Sequence, residues 1–313
     1  MNIAFVGGTR FIGHFAVEAA LARGHAVSVL HRGQTPTDHR AVTDIWVDRG
    51  DRDALRRALE RARPDVVVDT RSMLRSDAEG VVAAVTALAV PVVVLSSQDV
   101  YAQFGRLNGL PAPEPEVEVD ERSPLTIPFP FRGIGGHEAG PDYDKKEVEA
   151  VFRASGLTVR VLRLPGVYGP RDPRRRFWAF VDRLDAGERA FPRQGGGTFR
   201  WTHAHVRDVA HAIVLAAESS REGFAVYNVG EAPTPTQSQR VEALAACMGV
   251  ELTWIESPSA LPDDLASLGV MPNDLVVSSR ALREELGFTE VTTPEERWLD
   301  VVRSARNRPH SED

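Results

Sequence analysis

The chain has 313 residues, 42% of them hydrophobic and 26% charged, with a formal net charge of −7. This is the composition of a globular chain with a large core, and its acidic balance argues against a nucleic-acid partner, whose phosphates favour basic surfaces. The single cysteine, Cys247, excludes an internal disulfide and a thiolate metal cage; with no HExxH pair, no apolar run of the ~20 residues a membrane helix needs and no leader ahead of the first strand, the expectation is a cytoplasmic protein with no metal and no membrane association.

In chain order, 2–6 (NIAFV) reads as a buried strand and 14–24 (HFAVEAALARG) as a helix closed by Gly24. Further strands are predicted at 26–30, 44–47, 65–69, 91–97 and 157–164, with helical runs at 51–62 and 77–89. Near-continuous Val/Ile/Leu strands separated by helices predict an α/β fold, a doubly wound parallel sheet covered on both faces. The Pro- and Gly-rich stretch 102–141 breaks the rhythm. It leaves directly from a candidate catalytic strand, so it reads as a substrate lid or pocket wall, the alternative being a tolerated surface insertion. Beyond 166 come helices at 175–187, 207–219, 236–249 and 278–288, a short strand at 225–230, and a capping box, Thr293 with Glu296, before a last helix. Cys247 lies in a helical run and reads as core.

The first strand runs into GGTRFIG. Gly7, Arg10 and Gly13 keep a spacing of three and three between strand and helix. Gly7 suits the tight turn, Gly13 lets the helix pack close to the sheet, and the N–H groups at the helix start face a pyrophosphate. Arg10 stands where a small residue is usual; with its side chain outward it need not block the site. An NAD site places a carboxylate about 20 residues on to hold the ribose 2′-OH, whereas here the second strand ends His31-Arg32-Gly33. A carboxylate would repel a 2′-phosphate, and Arg32 and Arg10 would attract it, so the expected cofactor is NADP(H); the alternative leaves both arginines as solvated surface residues. Asp48, after the third strand, is a candidate adenine-edge contact or a plain loop carboxylate. The expected organisation is a dinucleotide-binding Rossmann domain at 1–166 and 204–231, a smaller C-terminal α+β substrate-binding part at 167–203 and 232–303, and a flexible tail at 304–313.

Five motifs, GGTRFIG, SSQDVY, LRLPGVYGP, HVRDVAHAI and YNVGE, occur in that order between residues 3 and 232. Together they resemble the extended short-chain dehydrogenase/reductases, the group that includes nucleotide-sugar epimerases and dehydratases, with the arginine in the turn marking an atypical branch. The resemblance implies a Ser, Tyr, Lys set. Ser97, four residues before Tyr101, would hold a substrate oxygen, and Tyr143, in GPDYDKKEVEAVF, would transfer the proton. The family's lysine follows that tyrosine by four residues, where this chain has Glu147. Lys146, at three, is expected to approach Tyr143 and the nicotinamide ribose instead, because i+3 and i+4 are both neighbours on a helix. A tyrosine, unperturbed near pKa ~10, needs such a cation to work near neutrality.

By the same resemblance, Thr9, Phe11, Ile12, Thr70 and Ser96 join Gly7, Arg10, Gly13, His31, Arg32 and Asp48 around the cofactor. Pro165 and Val167 wrap its nicotinamide end, and Gln98, Tyr168, Arg171 and Arg200 face the substrate. Asp208 is expected to anchor its own loop at a helix N-terminus.

The expected function is an NADP(H)-dependent oxidoreductase or epimerase-type enzyme that moves hydride between nicotinamide and a carbonyl or alcohol of a small polar or sugar-like substrate. Two other classes stay open. One is a non-catalytic NADP(H)-binding sensor, motivated by the displaced lysine. The other is an RNA-binding protein, since the resemblance extends to chloroplast stem-loop-binding relatives, against which the acidic balance counts. A small-molecule partner is expected, and a homodimer is left open.

Overall fold

The computed structural model describes residues 1–35, 37–127, 129–133 and 140–308. The first half alternates as its apolar runs dictate: β1 (Asn2–Val6), α1 (Phe11–Ala22), β2 (Ala26–His31), β3 (Thr43–Trp46), α2 (Arg52–Ala62), β4 (Val66–Asp69), α3 (Arg75–Thr86) and β5 (Val92–Ser97). A short α4 (Ala102–Leu107) opens the irregular stretch, and α5 (Lys145–Ala154) closes it ahead of β6 (Val159–Leu164). There follow β7 (Gly166–Tyr168), α6 (Trp178–Asp185), β8 (Ala190–Arg193), β9 (His203–His205), α7 (Val206–Glu218), β10 (Phe224–Asn228), α8 (Gln237–Cys247), β11 (Thr253–Glu256), α9 (Arg280–Leu286) and α10 (Pro294–Arg306).

Seven parallel strands form one sheet in the order β10-β6-β5-β4-β1-β2-β3. Along β1, Ile3 and Phe5 enter one core, against α1 and α7, while Ala4 and Val6 enter the other, against α2, α3 and α5. Both faces are therefore covered, which is why the central strands β1, β4 and β5 carry near-continuous apolar runs rather than alternating ones. The strand order reverses between β1 and β4, and ligands of such sheets lie in the crevice beyond the carboxyl ends at that point. A separate core of Tyr168, Phe180, Phe191, Leu244, Trp298 and Val301 holds the C-terminal part together, and Cys247 packs half-buried at its edge.

The structure departs from the sequence pattern in four places. Helix α1 starts at Phe11 because Arg10 itself is the extended residue before the helix, with φ −128° and ψ 152°. Two small parallel pairs, β7 with β9 and β8 with β11, escape periodicity because each strand is only three or four residues long. The expected tail is helical at its start: α10 runs to Arg306, with Ala305 buried in the C-terminal core and Arg306 paired with Asp185 at 2.6 Å; residues 309–313 lie outside the described ones. Asp208 does not anchor its own loop. Its carboxylate accepts the backbone N–H groups of Val291 and Thr292 (2.8 and 3.0 Å) and the Thr292 hydroxyl (2.7 Å), so it fastens the entrance of α10 onto α7. Among the described residues no helix is long and apolar enough to cross a membrane, and no group of three or more His, Cys, Asp or Glu side chains is placed to hold a metal.

Candidate active site

The turn after β1 is built by backbone demands. Gly7 has φ +97°, and a Cβ there would fall 2.2 Å from the Thr70 hydroxyl oxygen, which donates to the Val6 carbonyl at 3.0 Å across the β1–β4 crevice. A Cβ on Gly13 would lie 2.5 Å from the Gly8 Cα, so only glycine lets α1 approach this closely. The first turn of α1 carries no acidic residue and no side-chain cap. Its N–H groups are thus left for an external acceptor, with the positive end of the helix behind them. These features fit the pyrophosphate of a dinucleotide. Thr9, Phe11 and Ile12 are half-buried around the turn, and Phe11 holds a φ of +32°, unusual for a bulky residue.

At the adenosine end the Arg10 side chain reaches over the β2–β3 loop, its Nε donating to Thr35 Oγ1 at 3.0 Å, and Arg32 is exposed. His31 is buried; its Nε2 meets the Asp44 carboxylate of β3 and its Nδ1 accepts the Gly33 N–H at 3.1 Å, so both ring nitrogens are engaged by the protein. Asp48 is exposed and accepts the Gly50 N–H at 2.9 Å. Arg171, expected on the substrate side, pairs with Asp38 at 2.6 Å and so joins the loop after β7 to the loop after β2.

The lysine brought to the strand ends is Lys145, not Lys146. Asp144 caps α5, accepting the Lys146 and Glu147 N–H groups, so Tyr143 precedes the helix and helical spacing between Tyr143 and the lysines does not apply. Lys145 begins a buried stripe, Lys145, Val148, Glu149 and Phe152, and its ammonium donates to the carbonyls of Ser72 (2.6 Å) and Leu95 (3.0 Å) just beyond β4 and on β5. Burial brings this ammonium down to about 8, against the pull of the Asp69 and Asp99 charges. Lys146 instead donates to the Thr126 carbonyl at 2.6 Å and lies over the Phe129 ring.

Ser97 ends β5 half-buried and accepts the Asp99 N–H at 3.3 Å. One turn on, the buried Asp99 accepts the Tyr143 hydroxyl at 2.9 Å on Oδ2. Burial raises the Asp99 carboxyl to about 6, opposed by its hydrogen bonds to Tyr143 and Ser97 and by the Lys145 charge. Phe129 and Phe131, from the described part of 102–141, pack on the Tyr143 ring at centroid distances of 5.5 and 6.1 Å; residues 134–139 of that stretch lie outside the described ones.

Beneath this layer, the Glu149 carboxylate receives Arg163 bidentately at 3.0 and 2.7 Å and the Ser96 hydroxyl at 2.6 Å. Arg163 also donates to the Tyr101 hydroxyl at 2.9 Å, which donates to Asn228 at 2.7 Å. Ser96 therefore faces the core. Gln98 is buried too, its amide donating to the Val229 carbonyl at 2.8 Å, and Tyr168 stacks on Trp298 inside the C-terminal core. Arg200 is held by Asp274 at 2.8 Å. Pro165 and Val167 follow β6, the Val167 carbonyl accepting from Arg176 at 2.9 Å.

Sequence reasoning had passed over Lys145, Asp99 and the Glu149–Arg163 pair. For Lys145 the signal was available: with Asp144 read as a cap, positions 145, 148, 149 and 152 form an i, i+3, i+4, i+7 stripe.

A sequence model of the NAD dependent epimerase/dehydratase family matches residues 3–230. A 3-diazoavenalumate denitrifying reductase from a Streptomyces species is 30% identical over 277 residues, spanning 85% of this chain and 86% of that protein. The chloroplast stem-loop binding protein of 41 kDa b of Arabidopsis thaliana is 24% identical over 242 residues, 73% of this chain and 58% of that protein. Among solved structures, Bordetella bronchiseptica WbmH in complex with NAD+ superposes with a TM-score of 0.71 at 18% identity, with 98% of each chain covered. The UDP-glucose 4-epimerase of Thermotoga maritima, solved with UDP-glucose, gives 0.70 at 21%, with 98% of this chain and 99% of that one covered. At such identities these structures establish the doubly wound α/β fold.

Proposed function

The chain belongs to the NAD dependent epimerase/dehydratase family, and on that premise we propose that it is an NADP(H)-dependent oxidoreductase or epimerase-type enzyme acting on a carbonyl or alcohol of a small polar or sugar-like substrate. The observation that carries the cofactor assignment is the end of β2, where Arg32 is exposed and Arg10 spans the adjoining loop. The bound dinucleotide supplies or accepts the hydride. The chain's own residues do the rest. Gly7, Gly13 and the open first turn of α1 hold the pyrophosphate, and Lys145 presents its charge at the ends of β4 and β5. Ser97 orients the substrate oxygen, and Tyr143 gives or takes its proton.

Calorimetric titration with NADPH and with NADH tests this reading. NADPH is expected to bind more tightly. Arg32→Ala should weaken NADPH about tenfold, the worth of one charge-assisted hydrogen bond, and change NADH less than twofold. Equal losses would remove the 2′-phosphate assignment, and no binding of either would favour a role without cofactor.

The Streptomyces relative supports a second reading, a diazo substrate. Hydride added to the terminal nitrogen of R–N2+ yields R–H and N2 with no proton supplied by the protein. Consumption of NADPH by an arenediazonium salt, unaffected by Tyr143→Phe, would favour this reading; dependence on Tyr143 would favour the carbonyl one.

A further inference from the structure

A tyrosine that serves as acid and base alone must pass through its phenolate, and that costs most where no cation adjoins it. Here the lysine expected beside it, Lys146, is bonded to the Thr126 carbonyl, Lys145 is bonded to the Ser72 and Leu95 carbonyls, and the Tyr143 hydroxyl points at a carboxylate. We propose that Asp99 is the proton reservoir behind Tyr143, so that Tyr143 relays a proton between substrate and Asp99 and stays neutral while doing so.

Three observations carry this. First, the direction of the hydrogen bond: the Tyr143 O–H donates to Asp99 Oδ2 at 2.9 Å, so the phenolic proton already lies on the line to the carboxylate. Second, the state of the carboxyl: Asp99 is buried and, among the described residues, its other oxygen, Oδ1, has no hydrogen-bond partner, so the anion is poorly stabilised and can take the proton that reaches Oδ2. Third, the surroundings: Phe129 and Phe131 line the Tyr143 ring and keep bulk water from short-circuiting the exchange. The charged groups that face Asp99 are Lys145 and Glu149 of α5, of opposite sign, beside the Ser97 and Tyr143 hydroxyls.

The step balances in both directions. When an alcohol is oxidised, its carbon gives hydride to the oxidised nicotinamide. Its hydroxyl proton goes to the Tyr143 oxygen, and the proton already on Tyr143 goes to the Asp99 carboxylate. Reduction runs the same transfers backwards. Oxidation therefore needs Asp99 ionised and gains rate as pH rises through about 6, and reduction needs it protonated and loses rate over the same interval.

This inference rests on the reading of Tyr143 as the proton-transferring group, and its test uses neither cofactor nor substrate. In protein carrying 13C at Asp carboxyl and Tyr ring carbons, with Asp99→Asn and Tyr143→Phe assigning the two signals, the Asp99 carboxyl is expected to titrate near 6 and the Tyr143 Cζ resonance to move with it. An Asp99 carboxyl that titrates near the unperturbed value of ~4, or a Tyr143 signal indifferent to it, overturns the relay. The NADPH titration judges the enzyme reading separately. Where turnover is measured, Asp99→Asn, which keeps the acceptor but not the proton, should lower kcat about a hundredfold with KM little changed and abolish the pH limb. A wild-type limb in Asp99→Asn would leave Asp99 a packing residue.

Discussion

Lys145→Met is expected to lower turnover by about a hundredfold and to weaken the dinucleotide about tenfold, while Lys146→Met changes each by less than twofold. The contrast follows from where the two ammonium groups end. Lys145 is buried at the carboxyl ends of the sheet, on the Ser72 and Leu95 carbonyls and within the fields of Asp69 and Asp99. Lys146 braces the loop at Thr126. A purely structural role for Lys145 predicts a different result, because a buried cation has lost hydration that methionine does not need. The folded value is about 8 against 10.5 for the free side chain, so between these the unfolded chain binds more protons and stability rises with pH. Lys145→Met should abolish that rise and leave Tm at pH 7 unchanged or higher, while activity falls. Cofactor affinity in the wild type should decline as pH climbs through about 8 and the charge is lost. A larger loss from Lys146→Met than from Lys145→Met would return the assignment to Lys146, and equal losses would remove it from Lys145.

The largest effect on stability is expected at Glu149. Glu149→Ala strips a buried guanidinium of its bidentate partner and leaves the Ser96 hydroxyl unpaired. Breaking such a pair costs about 3–5 kcal/mol. At roughly 2–4 °C per kcal/mol for chains of 150–250 residues, the drop in Tm is on the order of 10 °C. Replacing both partners, Glu149→Met with Arg163→Met, should recover most of that loss, since two apolar side chains carry no uncompensated charge. Denaturant melts of the two singles and the double decide the matter. A single-variant loss below about 1 kcal/mol would mean that water reaches the pair. The pair also bears on the site, because it ties α5 to the ends of β5 and β6 directly beneath Ser97 and Lys145.

The elements legible in the sequence are those whose signal is local and long. The valine runs of β4 and β5, the glycines of the β1–α1 turn and the capping box at Thr293 and Glu296 each occupy one short window, and each appears where its pattern places it. The doubly wound arrangement follows from the same runs, because strands apolar on both faces demand helices on both sides. The 102–141 stretch stands out as an interruption, but its packing of Phe129 and Phe131 against Tyr143 has no periodicity to announce it.

What the sequence by itself determined is thus the sheet, the glycine turn after β1 with arginine in place of a carboxylate beyond β2, and the candidacy of Ser97 and Tyr143, while its spacing pointed to Lys146 rather than Lys145. Which lysine turns inward was legible locally, in the Asp144 cap and the stripe that begins at Lys145; tertiary structure decided where its ammonium ends, on the Ser72 and Leu95 carbonyls. It decided that Tyr143 faces Asp99, 44 residues away along the chain, and that Asp208 fastens a turn more than 80 residues on. Such pairings depend on how whole helices seat against the sheet, and a hydrogen bond between distant residues leaves no pattern within any window of sequence short enough to read.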